Sequence, residues 1–172
     1  MVLLISIELL ILLISLISFH NRKLFSWLIF HPNKKLQLHR YFTYAFVHAN
    51  YIHVIVNCFI FFIFSYQVQI ILGNILFLEF IFGSILFSIL PYIFKDYIIV
   101  GLSGCTSALI YFCILQHPVF FWVSIPYLLY CWYRDQYHDD NIAHASHLWG
   151  SVFAFLFTLI LFPYIVFNIF VP

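Results

Sequence analysis

Of the 172 residues, 65% are hydrophobic, 23% aromatic and only 8% charged, and the formal net charge is +1. A mean hydropathy of +1.06 exceeds what a water-soluble domain tolerates, so the composition predicts an integral membrane protein of the all-α class. The small net charge argues against a nucleic-acid partner. Because no Gly/Ser-rich linker, repeat or low-complexity segment divides the chain, we expect a single membrane domain over residues 1–172.

Apolar stretches between polar interruptions predict six transmembrane helices, because about 20 apolar residues cross a hydrocarbon core of about 30 Å. The predicted spans are residues 2–19, 51–72, 75–94, 101–115, 119–133 and 142–162. Residues 20–40 are polar and basic, Gly73-Asn74 is a helix-stop signal, and Pro163 is expected to end the sixth span. We expect the first span to be retained, because Glu8 and the lack of a preceding Lys or Arg make a cleaved signal peptide the weaker interpretation.

Polar side chains inside apolar spans are costly and mark functional sites. Such residues open the second, fourth and sixth predicted spans: His53 and Asn57, Ser103, and His147. Because alternate helices of a six-helix bundle run in the same direction, these three helices start from one face of the membrane. A rise of 1.5 Å per residue places Ser103 and His147 roughly 12 Å and roughly 8 Å below that face. Three remote segments are therefore predicted to converge at one depth.

The fourth predicted span is too short to cross a bilayer. This predicts that residues 95–100 dip into the protein and that the helix begins in a water-filled pocket. Non-helical backbone is tolerated at such depth only where protein or water satisfies its polar groups.

The motifs at these positions resemble those of the rhomboid family of intramembrane serine proteases, over roughly residues 40–162. Residues 40–43 (RYFT) are similar to the family's first-loop motif, and Gly73 stands where its span-ending glycine belongs. The H-x-x-x-x-H-x-x-x-N signature is matched by His48, His53 and Asn57. Residues 101–104 (GLSG) match the nucleophile motif.

Residues 140–150 are similar to the stretch that bears the family's catalytic histidine, which precedes a glycine by three positions. His147 and Gly150 fit that frame, whereas His144 does not and is expected to shape the end of the loop. Any one motif is weak alone, but three in this order and spacing are specific. The resemblance therefore implies a six-helix rhomboid-like bundle and an endopeptidase that cleaves in or near transmembrane segments.

The resemblance implies a catalytic dyad, in which the imidazole of His147 takes the proton of the Ser103 hydroxyl and makes it a nucleophile. It assigns stabilisation of the oxyanion to the side chains of His53 and Asn57 and to the backbone N–H of Ser103. The spacing of His53 and Asn57, i and i+4, places both side chains on one helical face.

Supporting roles are expected for His48, Gly101, Gly104 and Gly150. We expect His48 one or two helical turns before the oxyanion residues, in the hydrated entrance. Gly104 is followed one turn later by Ala108, and Gly150 is followed in the same way by an alanine. Such small-x-x-x-small faces let helices approach closely enough for the dyad to share a hydrogen bond.

Two positions depart from the family's pattern. Ser107 stands where many relatives carry an aromatic residue that stacks against the catalytic histidine, so we expect Trp149 or a serine hydroxyl to orient His147. Gln69 stands where an acidic residue often closes the second span. Neither change removes the proposed chemistry.

No carboxylate is placed to complete a catalytic triad, and such triads vary across folds. Glu79 has no motif support, and Asp139 and Asp140 are expected in a loop. No metal or other cofactor is implied, and the cysteines are interpreted as packing residues because they lack C-x-x-C spacing. A lone serine such as Ser15 is expected to bond to its own helix or to a neighbouring one.

Two alternatives from other classes stay open. A catalytically silent rhomboid-like protein that binds membrane proteins would usually lack Ser103 or His147, and both are present. A haem-binding or metal-binding membrane protein would use the histidine pairs as ligands.

The expected partners are transmembrane protein substrates and the lipid bilayer, and the expected location is the bacterial inner membrane. The resemblance implies a catalytic opening toward the exterior. A positive-inside count implies the cytosol, because the Lys and Arg residues all fall in loops on the active-site side. These are Arg22, Lys23, Lys34, Lys35, Arg40, Lys95 and Arg134. We expect the family's orientation, since a first loop in the interface can hold basic residues by snorkelling.

Overall fold

The computed structural model describes residues 2–34, 36–95, 97–117, 121–137 and 143–170. Within these ranges the chain is helical, and an isolated β-bridge joins Phe30 to Ile99. The helices are α1 (Val2–His20), α2 (Arg22–Leu28), α3 (Arg40–Thr43), α4 (Tyr51–Ile89), α5 (Ser103–Leu115), α6 (Phe121–Tyr137) and α7 (His144–Phe170). Short 3₁₀ turns cover Pro32–Lys34, Tyr44–Phe46 and Leu90–Tyr92.

Three stretches are long and apolar enough to cross a membrane, namely Val2–His20, Tyr51–Tyr92 and His144–Leu161. Ser103–Leu115 is an apolar helix of shorter length. The predicted all-helical fold with several apolar helices is confirmed. Over the described residues, three candidate spans do not confirm the predicted count of six, because α4 counts as one continuous stretch and α5 is too short to qualify by itself.

Helix α4 is interrupted at Gly73, whose φ of 71° and ψ of 178° are not helical. A positive φ of this kind favours glycine, because a side chain would clash with the backbone. Two helical segments therefore meet where the sequence predicts a helix stop. Across this interruption, Nε2 of Gln69 donates to Oδ1 of Asn74 at 2.8 Å. The amide at position 69 thus joins the two segments.

Two predicted helix ends are wrong. Helix α6 continues to Tyr137 instead of ending at residue 133, because polar residues can extend a helix beyond the apolar part of its sequence. Helix α7 continues through Pro163 to Phe170, since proline removes one hydrogen bond and can bend a helix without ending it. The predicted starts at residues 119 and 142 lie outside the described residues.

The protein core is centred on α5, which packs between α4 and α7. One face of this packing is an aromatic cluster around Phe80. Its ring centroid lies 5.3 Å from that of Phe112, 5.4 Å from that of Phe153 and 5.1 Å from that of Phe157. These separations suit edge-to-face packing. Enclosure on several sides explains how so short a helix is held within the bundle.

The backbones of α5 and α7 touch at Gly104 and Gly150. A Cβ atom on Gly150 would overlap the carbonyl oxygen of Gly104 and lie 2.9 Å from its carbonyl carbon. A Cβ on Gly104 would lie 2.5 Å from Cβ of Ser88 and 2.6 Å from Oγ of Ser146. The close helix approach expected from the small residues is therefore present, next to the starts of both helices.

The segment between α1 and α4 is organised around the buried side chain of Arg40, which is 2% exposed. Its Nη1 donates to the carbonyl oxygens of Ser26 and Ile29, and its Nε donates to Oε1 of Gln37. This segment is joined to the stretch before α5 by the Phe30–Ile99 bridge. The basic stretch of the sequence is therefore built into the fold that supports α5.

Candidate active site

A cavity of about 620 Å³ lies between α4, α5, α6 and α7. It is lined by the four residues predicted to carry the chemistry, His53, Asn57, Ser103 and His147. The predicted convergence of three remote segments is therefore present in the structure. The same cavity is lined by Thr106, Ser107 and Tyr127, for which the sequence suggested no role in chemistry.

Ser103 is the first residue of α5, and the backbone before it is not helical. Gly101 has a φ of 100°, which favours glycine. A Cβ on Gly101 would also lie 2.7 Å from Cε1 of His53, and its N–H donates to the carbonyl oxygen of Tyr44 at 2.9 Å. Glycine therefore lets the chain turn into the helix while it passes directly beside the His53 ring.

His53 and Asn57 lie one turn apart near the start of α4. The side chain of Asn50 caps this helix by accepting from the backbone N–H of His53 at 2.8 Å. Nδ2 of Asn57 donates to the carbonyl oxygen of His53 at 2.9 Å. Both residues line the cavity, as expected from their shared helical face.

His147 lies in the first turn of α7, where it lines the cavity, whereas His144 does not. The two rings are neighbours, edge to face with centroids 5.9 Å apart. The start of α7 is held by Asp135, whose Oδ1 accepts from the N–H of Ala145 at 3.2 Å. Asp135 also pairs with Lys95 at 3.4 Å. Nothing in the sequence indicated this contact, because the predicted fifth span ends at residue 133, before Asp135.

His48 lies in the non-helical segment before α4, not on an earlier turn of that helix. Its side chain is fully buried and does not line the cavity, so its predicted place in a hydrated entrance is wrong. The reason is local, since Asn50 caps the helix and thereby starts it after His48. The chain can then direct the imidazole inward.

The hydrogen bonds of His48 define its tautomer. The N–H of Leu102 donates to Nε2 at 3.3 Å, so Nε2 carries the lone pair and Nδ1 the proton. Nδ1 lies 2.9 Å from Oγ of Ser15, whose own hydrogen goes to the carbonyl oxygen of Phe46 at 2.9 Å. This chain of bonds connects α1 to the residue directly before Ser103. His48 thus supports the backbone directly before Ser103.

The pKa of His48 is lowered to about 3 from its ordinary value of 6.5. Burial is the larger cause, and the neighbouring His53 is the smaller one. Between those pH values the unfolded chain binds a proton that the folded chain does not. Stability therefore falls as the pH decreases from about 6.5 toward 3. Above this range the neutral imidazole keeps both of its hydrogen bonds.

We expect His48→Phe to lower the thermal unfolding midpoint in detergent at pH 7, because the buried N–H of Leu102 loses its acceptor. An unsatisfied buried donor costs about 1–3 kcal/mol. The variant is also expected to lose part of the wild-type decrease in midpoint between pH 7 and pH 4.5. The exposed His20 provides the control, and His20→Phe should retain that decrease. An unchanged pH dependence in His48→Phe would contradict this account.

Tyr127 of α6 contacts Ser107, the residue that stands where many relatives carry an aromatic side chain. The hydroxyl of Tyr127 donates to Oγ of Ser107 at 3.2 Å, and both residues line the cavity with His147. Trp149 instead packs against Phe87, with ring centroids 5.9 Å apart. Motif comparison could not indicate Tyr127, because it lies on a different helix from Ser107.

Among the described residues, no group of three or more His, Cys, Asp or Glu is arranged to hold a metal ion. Both ring nitrogens of His48 are already hydrogen-bonded. Glu79 is exposed and does not line the cavity. Asp139 and Asp140, which the sequence placed in a loop, lie outside the described residues.

Helices long and apolar enough to cross a membrane, packed around a cavity that holds a few polar side chains, define an integral membrane protein. The family model described as the Rhomboid domain matches residues 35–164, which is most of the chain, and the chain belongs to the rhomboid family. The resemblance seen in the motifs is thereby confirmed. This family generally contains intramembrane serine proteases that act on membrane proteins, together with inactive members. A search of curated proteins found no match.

Proposed function

We propose that this chain is an intramembrane serine endopeptidase that uses Ser103 and His147 as a dyad. The observation that supports this most is the shared cavity, in which both residues meet His53 and Asn57 from a third helix. Serine proteases need a nucleophile, a base and an oxyanion site in one place. We further propose a single six-span domain in a bacterial inner membrane.

In the first half of the reaction, Oγ of Ser103 attacks the carbonyl carbon of the scissile peptide bond, and its proton passes to the imidazole of His147. The resulting imidazolium donates that proton to the leaving nitrogen as the C–N bond breaks. In the second half, His147 takes a proton from water, which attacks the acyl ester. The proton then returns to Oγ of Ser103 as the product acid leaves.

The negative oxygen formed in each half would be stabilised by three donors. The backbone N–H of Ser103 has no partner inside its own helix, because it belongs to the first helical residue. One N–H of Asn57 is held by the carbonyl oxygen of His53, which leaves the second for the oxyanion. The ring of His53 lines the same cavity. Donors fixed in advance in a site of low polarity stabilise such charge strongly.

The proposed substrates are transmembrane proteins, which the family acts on within the bilayer. The cavity of about 620 Å³ can hold a short extended peptide segment but not a helix with its side chains. A substrate helix must therefore unwind locally before its carbonyl carbon reaches Ser103. Small residues at the cut favour this entry.

Labelling with a fluorophosphonate in detergent tests the dyad directly. We expect the wild type to be labelled and Ser103→Ala and His147→Ala to remain unlabelled. Ser84→Ala is the matched control, because Ser84 is a fully buried serine that bonds back to the carbonyl oxygen of Ile81 and does not line the cavity. It should be labelled like the wild type. Equal labelling of all four proteins, or of none, would overturn the proposal, and the latter result would favour a silent rhomboid-like binding protein.

A further inference from the structure

The hydroxyl of Thr106 joins the nucleophile helix to the proposed oxyanion donor. Its Oγ1 lies 2.9 Å from the carbonyl oxygen of Ser103 and 3.4 Å from Oδ1 of Asn57. Both Thr106 and Asn57 are only 4% exposed. The first contact remains within α5, whereas the second crosses to α4 inside the cavity.

The orientation of the Asn57 amide follows from its neighbours. The carbonyl oxygen of His53 can only accept a hydrogen bond, so the amide atom 2.9 Å from it must be Nδ2. Oδ1 therefore faces the Thr106 hydroxyl. That hydroxyl has a single hydrogen, which it donates in a bifurcated bond to Oδ1 of Asn57 and to the carbonyl oxygen of Ser103.

We infer that Thr106 is a positioning residue, which holds the Asn57 amide with its second N–H available to the oxyanion. This inference rests on the proposed function. With Oδ1 and one N–H both engaged, rotation of the amide is restricted and the remaining N–H is fixed before reaction. Donors that need no reorganisation contribute most to stabilisation of a developing charge. Without the hydroxyl, Oδ1 has lost its partner on α5 and the amide can rotate.

The test is the kinetics of fluorophosphonate inactivation of the full chain in detergent. Thr106→Val keeps the shape of the side chain but removes the hydroxyl. We expect it to lower the maximal inactivation rate about tenfold with unchanged probe affinity, less than the about 10²–10³-fold loss typical when a donor itself is removed. Thr106→Ser keeps the hydroxyl and should retain most of the wild-type rate.

Thr158→Val is the matched control. Thr158 lies on α7, and its hydroxyl bonds back to the carbonyl oxygen of Ala154 at 2.8 Å, without lining the cavity. This change also removes one threonine hydroxyl from a membrane helix. It should leave the inactivation rate unchanged.

A merely structural role for Thr106 is separated from a positioning role by a double-mutant cycle. If Thr106 acts through Asn57, then Thr106→Val has no further effect in an Asn57→Ala background. Additive losses would overturn the inference, as would a wild-type rate in Thr106→Val. These outcomes leave the dyad proposal intact, whereas a wild type that does not react with the probe would overturn both.

Discussion

Replacing Gly150 by leucine is expected to abolish proteolytic activity, although neither member of the proposed dyad is altered. Even a Cβ atom at this position would overlap the carbonyl oxygen of Gly104, which is backbone and cannot rotate away. Helices α5 and α7 must then separate, and Ser103 and His147 stand at the starts of these helices. The measurement is cleavage of a quenched fluorescent transmembrane peptide in detergent, together with the rate of fluorophosphonate labelling.

A smaller substitution at the same position separates a loss of activity from a failure to fold. Gly150→Ala adds only the clashing atom, and we expect a loss of activity with a helical protein that still unfolds cooperatively. Overpacking of this kind typically costs about 1–3 kcal/mol. Gly83→Ala is the control, because the three atoms nearest to a Cβ there all belong to the side chain of Phe153 and none to the backbone of another helix. It should remain active. Wild-type cleavage by folded Gly150→Leu would refute the argument.

Removing the Asn57 amide or the His53 imidazole is expected to lower the rate of peptide cleavage by about 10²–10³ in each case. Both side chains line the cavity with Ser103, where the proposed oxyanion forms. Asn57→Ala and His53→Ala would show this loss in kcat, with a smaller change in KM, because the donors act on the transition state. The labelling rate with fluorophosphonate should fall in parallel.

Asn74→Ala is the matched control for this pair. Asn74 is also an amide on α4, but it pairs with Gln69 at the helix interruption, outside the cavity. Its loss should leave kcat within twofold, on the order of the effects seen at uninvolved positions. If Asn57→Ala cleaved as fast as Asn74→Ala, the assignment of Asn57 to the oxyanion would be wrong.

The residues brought together in the cavity were largely predictable, because the motifs are local and their convergence depends only on helix direction. The positions of Ser103 and His147 at the starts of α5 and α7 follow from where apolar stretches begin. The contact of Gly104 with Gly150 follows from the glycines that stand one residue after the serine and three residues after the histidine. Glycine at 101 belongs to a motif, but its positive φ and its contact with His53 required the structure.

The supporting contacts were not predictable, because they depend on how each helix is rotated about its axis. A threonine such as Thr106 and a serine such as Ser15 look like ordinary back-bonding residues in a membrane helix. Their cross-helix partners are 49 and 33 residues away in sequence. Nothing in a motif specifies such pairs. Likewise, nothing about Ser107 in the sequence indicated that a tyrosine from α6 would bond to it.

Helix ends were the least predictable part of the fold. Composition marks where apolar residues stop, but a helix continues for as long as its backbone bonds are favourable. Residues 134–137 and the turns after Pro163 are therefore helical although their composition or sequence suggested an end. The contact of Asp135 with Ala145 was not predictable for this reason, since it exists only when α6 extends that far.

The bond between Ser15 and His48 gives α1 a part in the proposed reaction centre that a simple membrane anchor does not have. Removing α1 would leave the Nδ1 proton of His48 without its acceptor, Oγ of Ser15. The other nitrogen of the same ring accepts from the backbone N–H of Leu102, directly before Ser103. The smallest unit able to hold Ser103 in place therefore includes the first helix. A shortened chain that begins after α1 would keep every motif and still lack a fixed nucleophile.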